Sequence, residues 1–280
     1  MPIVSIIIPT YNEERNIGRL LSSIKKQRVS GIETIVVDDG SKDKTITIAK
    51  KYTSKVYSRL HAERSVQRNF GARRARGKYV LFLDADMELT PGVVRDCLDT
   101  INKFKGLVIP ETTIGQSLLS KIRKFEREMY MGDSTIEVAR FFDKKVFDEF
   151  GGYDVNLTGA EDYDLPKRIS HKYLIGRAKE YILHHEEVRT LATQLKKKFY
   201  YAEKSALYAQ KHPDLISKQG ILIWRRAYLK NWRKFMNHPF LGVSLIVVRF
   251  METVAATLGF IKAVGIIGFI KTFFTMFKYL

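Results

Sequence analysis

The chain has 280 residues, 45% of them hydrophobic, enough for one large core or a core with an appendage. Its one cysteine, Cys97, excludes an intrachain disulfide, and a net charge of +18 favours an anionic partner: phosphates, nucleic acid or an acidic lipid surface. The opening Met1-Pro2 leads straight into Ile3-Val4-Ser5-Ile6-Ile7-Ile8, which reads as a buried strand rather than a signal peptide.

Strands are predicted at residues 4–8, 33–37, 55–57, 79–83 and 107–109. Between the first two, Ile17, Leu20, Leu21 and Ile24 recur at helical spacing, with Asn12 as candidate cap and Glu13 and Glu14 suited to the positive end. Further helices are predicted after Ser41, near Ser65 and at Pro91; Val94, Cys97, Leu98 and Ile101 share a face of the last, which makes Cys97 a core residue. Strands alternating with helices imply an α/β fold, a mostly parallel central sheet flanked by helices, with ligands beyond the carboxyl ends of the strands. The region from Pro110 to Glu186 is less regular. It holds an amphipathic helix (Leu118, Leu119, Ile122, Phe125, Met129), a strand near residues 139–142, a Gly151-Gly152-Tyr153-Asp154 turn, and Glu161-Asp162-Tyr163-Asp164 ahead of a helix with Pro166 in its first turn.

Acidic clusters follow the apolar strands. Asp38-Asp39 follows Ile35-Val36-Val37, and Asp84-Ala85-Asp86 follows Val80-Leu81-Phe82-Leu83. Carboxylates so placed belong at the ligand-binding rim, since a core position would need a cation or donors. The Asp84-x-Asp86 pair suits Mg²⁺ or Mn²⁺ bridged to a diphosphate, because such ions take one or two carboxylates plus phosphate oxygens.

Four ordered blocks carry a family resemblance: Val4–Glu13 (VSIIIPTYNE), Ile35–Thr45 (IVVDDGSKDKT), Gln67–Ala72 running through Gly77 to Phe82-Leu83-Asp84-Ala85-Asp86, and Phe150-Gly151-Gly152-Tyr153-Asp154 followed by Glu161-Asp162-Tyr163-Asp164. Together they resemble the family 2 glycosyltransferases, inverting enzymes of the GT-A fold, over about two thirds of the chain. The resemblance implies a nucleotide-sugar donor, with Pro9, Thr10, Tyr11, Glu13 and Asp39 around the base and ribose. Arg68 would then lie near the base or diphosphate, and Asp84 and Ala85 on the ribose and sugar side. It implies a divalent metal, Mn²⁺ or Mg²⁺, on Asp86 and a histidine: His185, with His184 as the alternative. It implies Asp162 as catalytic base, with Glu161, Gly152 and Tyr153 on the acceptor side. Simpler roles compete: a helix cap for Asp162, ordinary hydrogen bonding for His184-His185, rim packing for Tyr11 and a surface ion pair for Arg68.

From Arg189 to His238 the chain is basic, with only Glu203 and Asp214 as acidic residues. Runs such as Lys196-Lys197-Lys198-Phe199-Tyr200-Tyr201 and Trp224–Phe235 interleave cations with aromatics, which suits nucleic acid or an anionic membrane. The apolar stretch at 240–277 decides for the membrane. Residues 241–248 are too few to span, and 253–270 carry Lys262 near the centre, at a cost of about 3 kcal/mol. Interfacial or re-entrant helices are therefore expected before a true span or an oligomer interface, with Arg249 and Glu252 paired on one helical face. The expected organisation is a catalytic domain at 1–188 and a membrane-associated region at 189–280. Within the catalytic domain, residues 1–110 would bind the donor and residues 111–188 the acceptor. That placement suggests attachment to the cytoplasmic face of the cell membrane and a lipid-linked acceptor: a polyprenyl or dolichyl phosphate, or a glycolipid. A sugar nucleotidyltransferase would need a glycine-rich loop after the first strand, where Pro9-Thr10-Tyr11-Asn12 stands. A non-catalytic binding protein would not need Asp39, Asp86 and Asp162 together.

Overall fold

The computed structural model describes residues 1–186, 190–215 and 226–277. In chain order the elements are β1 (Val4–Thr10), α1 (Ile17–Lys25), β2 (Ile32–Asp38), α2 (Thr45–Ala49), β3 (Val56–Ser58), α3 (Arg64–Arg74), β4 (Tyr79–Phe82), β5 (Met87–Leu89), α4 (Val93–Thr100), β6 (Gly106–Val108) and β7 (Glu111–Thr113). Then follow α5 (Leu118–Tyr130), β8 (Ala139–Asp143), α6 (Lys144–Glu149), α7 (Glu161–Ser170), β9 (Ile175–Arg177), β10 (Ile182–His184), α8 (Leu191–Lys204), α9 (Ala206–Lys211), α10 (Arg226–Lys230), α11 (Trp232–Asn237) and α12 (Pro239–Phe277). The chain forms two compact units: residues 1–112, 138–155 and 161–185 in one, and 113–137, 156–160 and 186–280 in the other. The sequence boundary expected at 188/189 lies outside the described residues, as do Trp224 and Arg225.

The first unit is an α/β layer structure around a seven-stranded sheet of order β3-β2-β1-β4-β8-β6-β9. β1 is wholly buried. Its alternating side chains feed both faces: Ile6 and Ile8 pack with Leu20, Leu21 and Val94, and Ile7 packs with Ala72 and Val80. Cys97 lies in the first of these clusters, where burial pushes its thiol up. Gly71 lets α3 approach closely, since a Cβ there would meet Ile7 Cγ2 at 2.5 Å. A second, three-stranded sheet has the order β5-β10-β7.

Strand direction decides what reaches the rim. β1 runs parallel to β2 and β4, and β2 to β3, so the carboxyl ends of these strands share one edge. β8 runs antiparallel to β4 and β6, so its amino end, at Ala139-Arg140, arrives at that same edge. β6 is thereby parallel to β4 in sense, and the chain leaving it reaches the edge through Pro110 and Glu111. Pro9 is tolerated in this inner strand because the β1–β4 pairing stops at Ile7 and Phe82, before its missing N–H would be needed.

The second unit is helical. Ile122, Phe125 and Met129 of α5 pack with Tyr228, Leu245 and Val248. Beside this cluster lies a buried polar network. Arg249 pairs with Glu252 at 2.7 Å, as the three-residue spacing predicts, and also with Glu126. Arg123 reaches Glu126 at 2.8 Å and also Glu252, Gln194 donates to Glu252, and Tyr228 Oη donates to Glu126 at 2.7 Å. α12 is broken at Gly265, whose φ of 73° and ψ of 169° are not helical.

Some expectations are corrected. Asn12 does not cap α1; that helix starts after Asn16. Asn12 instead takes a φ of 53° and ties two loops, its N–H donating to Ser41 Oγ at 2.8 Å and its Oδ1 accepting from Lys42 N at 2.9 Å. Pro166 is not in the first turn of α7 but inside it, because the helix already begins at Glu161. The irregular middle holds short strands, β7, β9 and β10, too brief to show a period.

Candidate active site

Residues at the edge are linked in a chain in which carboxylates alternate with basic side chains. Arg68 of α3, 0% exposed, donates from Nη2 to Asp84 Oδ1 at 2.8 Å and from Nη1 to Asp162 Oδ1 at 2.6 Å and Glu161 Oε1 at 3.3 Å. Arg140 lies 3.5 Å from the other oxygen of Asp84 and donates from Nε to Glu111 Oε1 at 2.6 Å. Glu111 Oε2 is 3.2 Å from His184 Nδ1, and His184 Nε2 is 3.3 Å from Asp86 Oδ2. The links thus run from Asp162 to Asp86 without a break.

The electrostatics follow from this order. Burial opposes the charge on Asp84, but Arg68 and Arg140 outweigh it and hold the carboxyl well below the usual range. Burial also opposes the Arg68 charge, and Asp162 and Asp84 more than restore it. The Glu161 carboxyl is raised, by burial first and then by its neighbour Asp162. Glu13 is raised too, by burial, with further repulsion from Asp86, Asp43 and Asp84 against a hydrogen bond from Asn16. Excess negative charge therefore gathers near Asp86 and Glu13, where a cation would relieve it.

The predicted site residues fall as follows. Asp39 Oδ1 accepts from Ala62 N at 2.8 Å and from Gln67 Nε2, and its Oδ2 lies 2.6 Å from His61 Nδ1. Tyr11 is half exposed, its ring 5.6 Å from that of His61, and so offers an aromatic face at the rim. Thr10 Oγ1 and Glu161 Oε2 are buried without hydrogen-bond partners among the described residues. The Ala85 methyl packs into the core, leaving only its backbone to the rim. Gly152 takes a φ of 71°, and a Cβ there would meet Asn69 Oδ1 at 2.6 Å. Asn69 bridges this turn, accepting from Tyr153 N at 3.0 Å and donating to Tyr153 O at 2.7 Å. Tyr153 is buried against Phe82 and Phe147.

Two placements differ from the sequence reading. Arg68 is not a surface ion pair: it is buried, and its fork is occupied by the carboxylates of Asp84, Glu161 and Asp162. His184, not His185, faces Asp86. Neighbours on a strand point to opposite sides, and His185 Nε2 is turned to Glu88 at 2.8 Å. Arg140, Glu111 and His61 were not found from the sequence. A lone arginine in the apolar run Ala139-Arg140-Phe141-Phe142 was the available signal for the first.

The α/β sheet gathers these carboxylates at one rim, and comparison with known proteins gives its family. The chain belongs to the Glycosyl transferase family 2, whose model matches residues 5–157. The Escherichia coli chondroitin synthase is 28% identical over 183 residues, 61% of this chain but 27% of that protein. The Staphylococcus aureus poly(ribitol-phosphate) beta-N-acetylglucosaminyltransferase TarS is 36% identical over 113 residues, 38% of this chain and 20% of that protein. The chain thus covers only a minor share of these relatives. Among solved structures, TarS residues 1–349 superpose with a TM-score of 0.58 at 17% identity, covering 99% of this chain and 92% of that one. The mannosyltransferase PcManGT of Pyrobaculum calidifontis, in complex with GDP-Man and Mn²⁺, gives 0.57 at 16% identity, covering 92% and 74%. These likenesses establish the GT-A fold.

Proposed function

We propose that the protein transfers a sugar, with inversion, from a UDP- or GDP-sugar to a lipid-linked acceptor at the cytoplasmic face of a membrane. The observation that carries the reading is the continuous charged rim from Asp162 to Asp86. TarS has been solved with UDP-GlcNAc, and PcManGT with GDP-Man and Mn²⁺, which supports a nucleotide-sugar donor and a divalent ion. Tyr11 offers its ring to the base, and Asp39 lies beside it.

The residues present fit a hard divalent cation. Asp86 is 29% exposed, and His184 Nε2 lies 3.3 Å from it. Among the described residues no group of three or more metal-binding side chains is assembled. Such a pair leaves the remaining positions to diphosphate oxygens and water, as Mg²⁺ and Mn²⁺ prefer. Asp86 and His184 would hold the ion, which supplies charge neutralisation at the departing diphosphate. Asp162, 21% exposed, accepts the proton of the acceptor nucleophile, while Arg68 fixes its orientation. Thermal-shift measurements across UDP- and GDP-sugars test this. One donor is expected to raise the midpoint in the presence of Mn²⁺ and not with chelator. No stabilisation by any of them, or equal stabilisation of Asp86→Asn, would count against it.

The membrane reading draws on α12, where Pro239–Thr275 is long and apolar enough to cross a bilayer by length and composition. Its polarity is inverted relative to a water-facing helix. Arg249 and Glu252 point inward and are paired, while Phe240, Val243, Val247, Phe250, Val254 and Leu258 point outward and are exposed. Beyond the break at Gly265, Ile266, Ile267, Ile270, Phe273 and Phe274 form another exposed stripe. Lys262 is exposed and pairs with Glu203 at 3.0 Å, which suits a helix lying in the interface better than one crossing it. The protein is expected to float with anionic vesicles, and Val247→Ser with Phe250→Ser to weaken that binding several-fold. Failure of the wild type to float removes the membrane from the reading.

A further inference from the structure

We propose that Glu111 is a positioning residue that orients His184 and through it sets the affinity of the rim for a divalent cation. The inference rests on the metal reading above and adds to it a residue outside all four sequence blocks.

The argument starts from hydrogen-bond chemistry. A neutral imidazole carries one N–H and one lone pair. Glu111 Oε2, 3.2 Å from His184 Nδ1, can only accept, so that nitrogen carries the hydrogen. Nε2 faces Asp86 Oδ2 at 3.3 Å and, in the neutral ring that binds a metal, presents its lone pair there. A divalent ion can take the place of the Nε2 hydrogen between the ring and the Asp86 carboxylate. Adjacent ligands of an octahedral ion with bonds of about 2.1 Å are about 3 Å apart, close to the observed separation. The pair therefore has the form of a ligand edge prepared for a cation.

Glu111 is itself fixed. Its other oxygen accepts from Arg140 Nε at 2.6 Å, and Arg140 is nearly fully buried and shared with Asp84. Glu111 also sits just past the end of β6, on the edge to which β8 brings Arg140. A carboxylate that accepts from one ring nitrogen fixes the tautomer and raises the basicity of the other, and losing such a partner weakens metal binding about 10- to 100-fold.

The test is Mn²⁺ binding to the full chain, followed by the loss of the free-ion paramagnetic resonance signal, with Mn²⁺ alone and with UDP present. Glu111→Ala is expected to weaken Mn²⁺ binding by one to two orders of magnitude. His184→Ala should weaken it at least as much, and Glu111→Asp should recover some of the loss. If Glu111→Ala does not fold, Glu111→Gln, which preserves shape and can still accept from His184, is expected to bind more tightly than His184→Ala and less tightly than the wild type. Unchanged Mn²⁺ affinity in Glu111→Ala, or in Glu111→Gln if the alanine variant does not fold, would overturn the role of Glu111, provided the wild type binds. Absence of Mn²⁺ binding by the wild type would instead overturn the metal reading itself, and this inference with it.

Discussion

Asp162→Asn is expected to lower kcat by about 10²- to 10⁴-fold while leaving donor KM within a few-fold, as for loss of a general base. The substitution preserves shape, and Arg68 keeps Asp84 and Glu161 as partners, so folding should survive. Asp162 is less buried than Glu161, and Arg68 donates to its Oδ1. Its Oδ2 is the oxygen expected to take the acceptor proton. Glu161 cannot substitute readily, because it is buried and burial disfavours its ionised form. Steady-state kinetics with donor binding measured separately would separate the cases. Turnover within a few-fold of wild type would remove the base assignment and point to an acceptor already ionised, such as a lipid phosphate, for which Asp162 need only position.

The features of the fold legible in the sequence are those where one element decides its own pattern. The apolar run at Val4–Ile8, the helical period of Ile17, Leu20, Leu21 and Ile24, and the acidic residues ending β2 and β4 each carry a local signal. The remainder depends on pairings between distant segments. Arg140 reaches the rim only because β8 runs antiparallel to β4, and nothing within residues 139–143 states that direction. Glu111 follows from the same pairing. The choice between His184 and His185 is a matter of one residue of phase in a three-residue strand, too short for alternation to set. Arg68 reads as a donor-site residue from the resemblance, with a surface ion pair as the simpler alternative; its complete burial is intelligible only once Asp84, Glu161 and Asp162, far apart in sequence, converge on it. For the same reason α5 reads as amphipathic without revealing that its buried face, with Glu126, packs with Tyr228 and Arg249.

That convergence predicts the largest stability effect. Arg68→Met removes the cation shared by three carboxylates and leaves a side chain of similar length. Removing one partner of a buried ion pair costs about 3–5 kcal/mol at neutral pH, because the remaining charges lose their compensation. In a unit of this size that corresponds to a fall in Tm on the order of 10 °C. The pH dependence separates this cause from simple loss of packing. In the wild type, the Asp84 carboxyl lies below its unfolded value, so its ionised form contributes stability above the ordinary carboxylate range and loses it as pH falls. Without Arg68, Asp84 loses the largest of the charges that outweigh its burial, and the Glu161 carboxyl, already raised, rises further. Ionising Asp84 then contributes less stability, and ionising Glu161 costs more, as pH rises. The difference between wild type and Arg68→Met should therefore be small near pH 4 and widen toward about pH 7. A difference independent of pH would assign the loss to packing and deny Arg68 its role as the charge that holds Asp84 and Asp162 together.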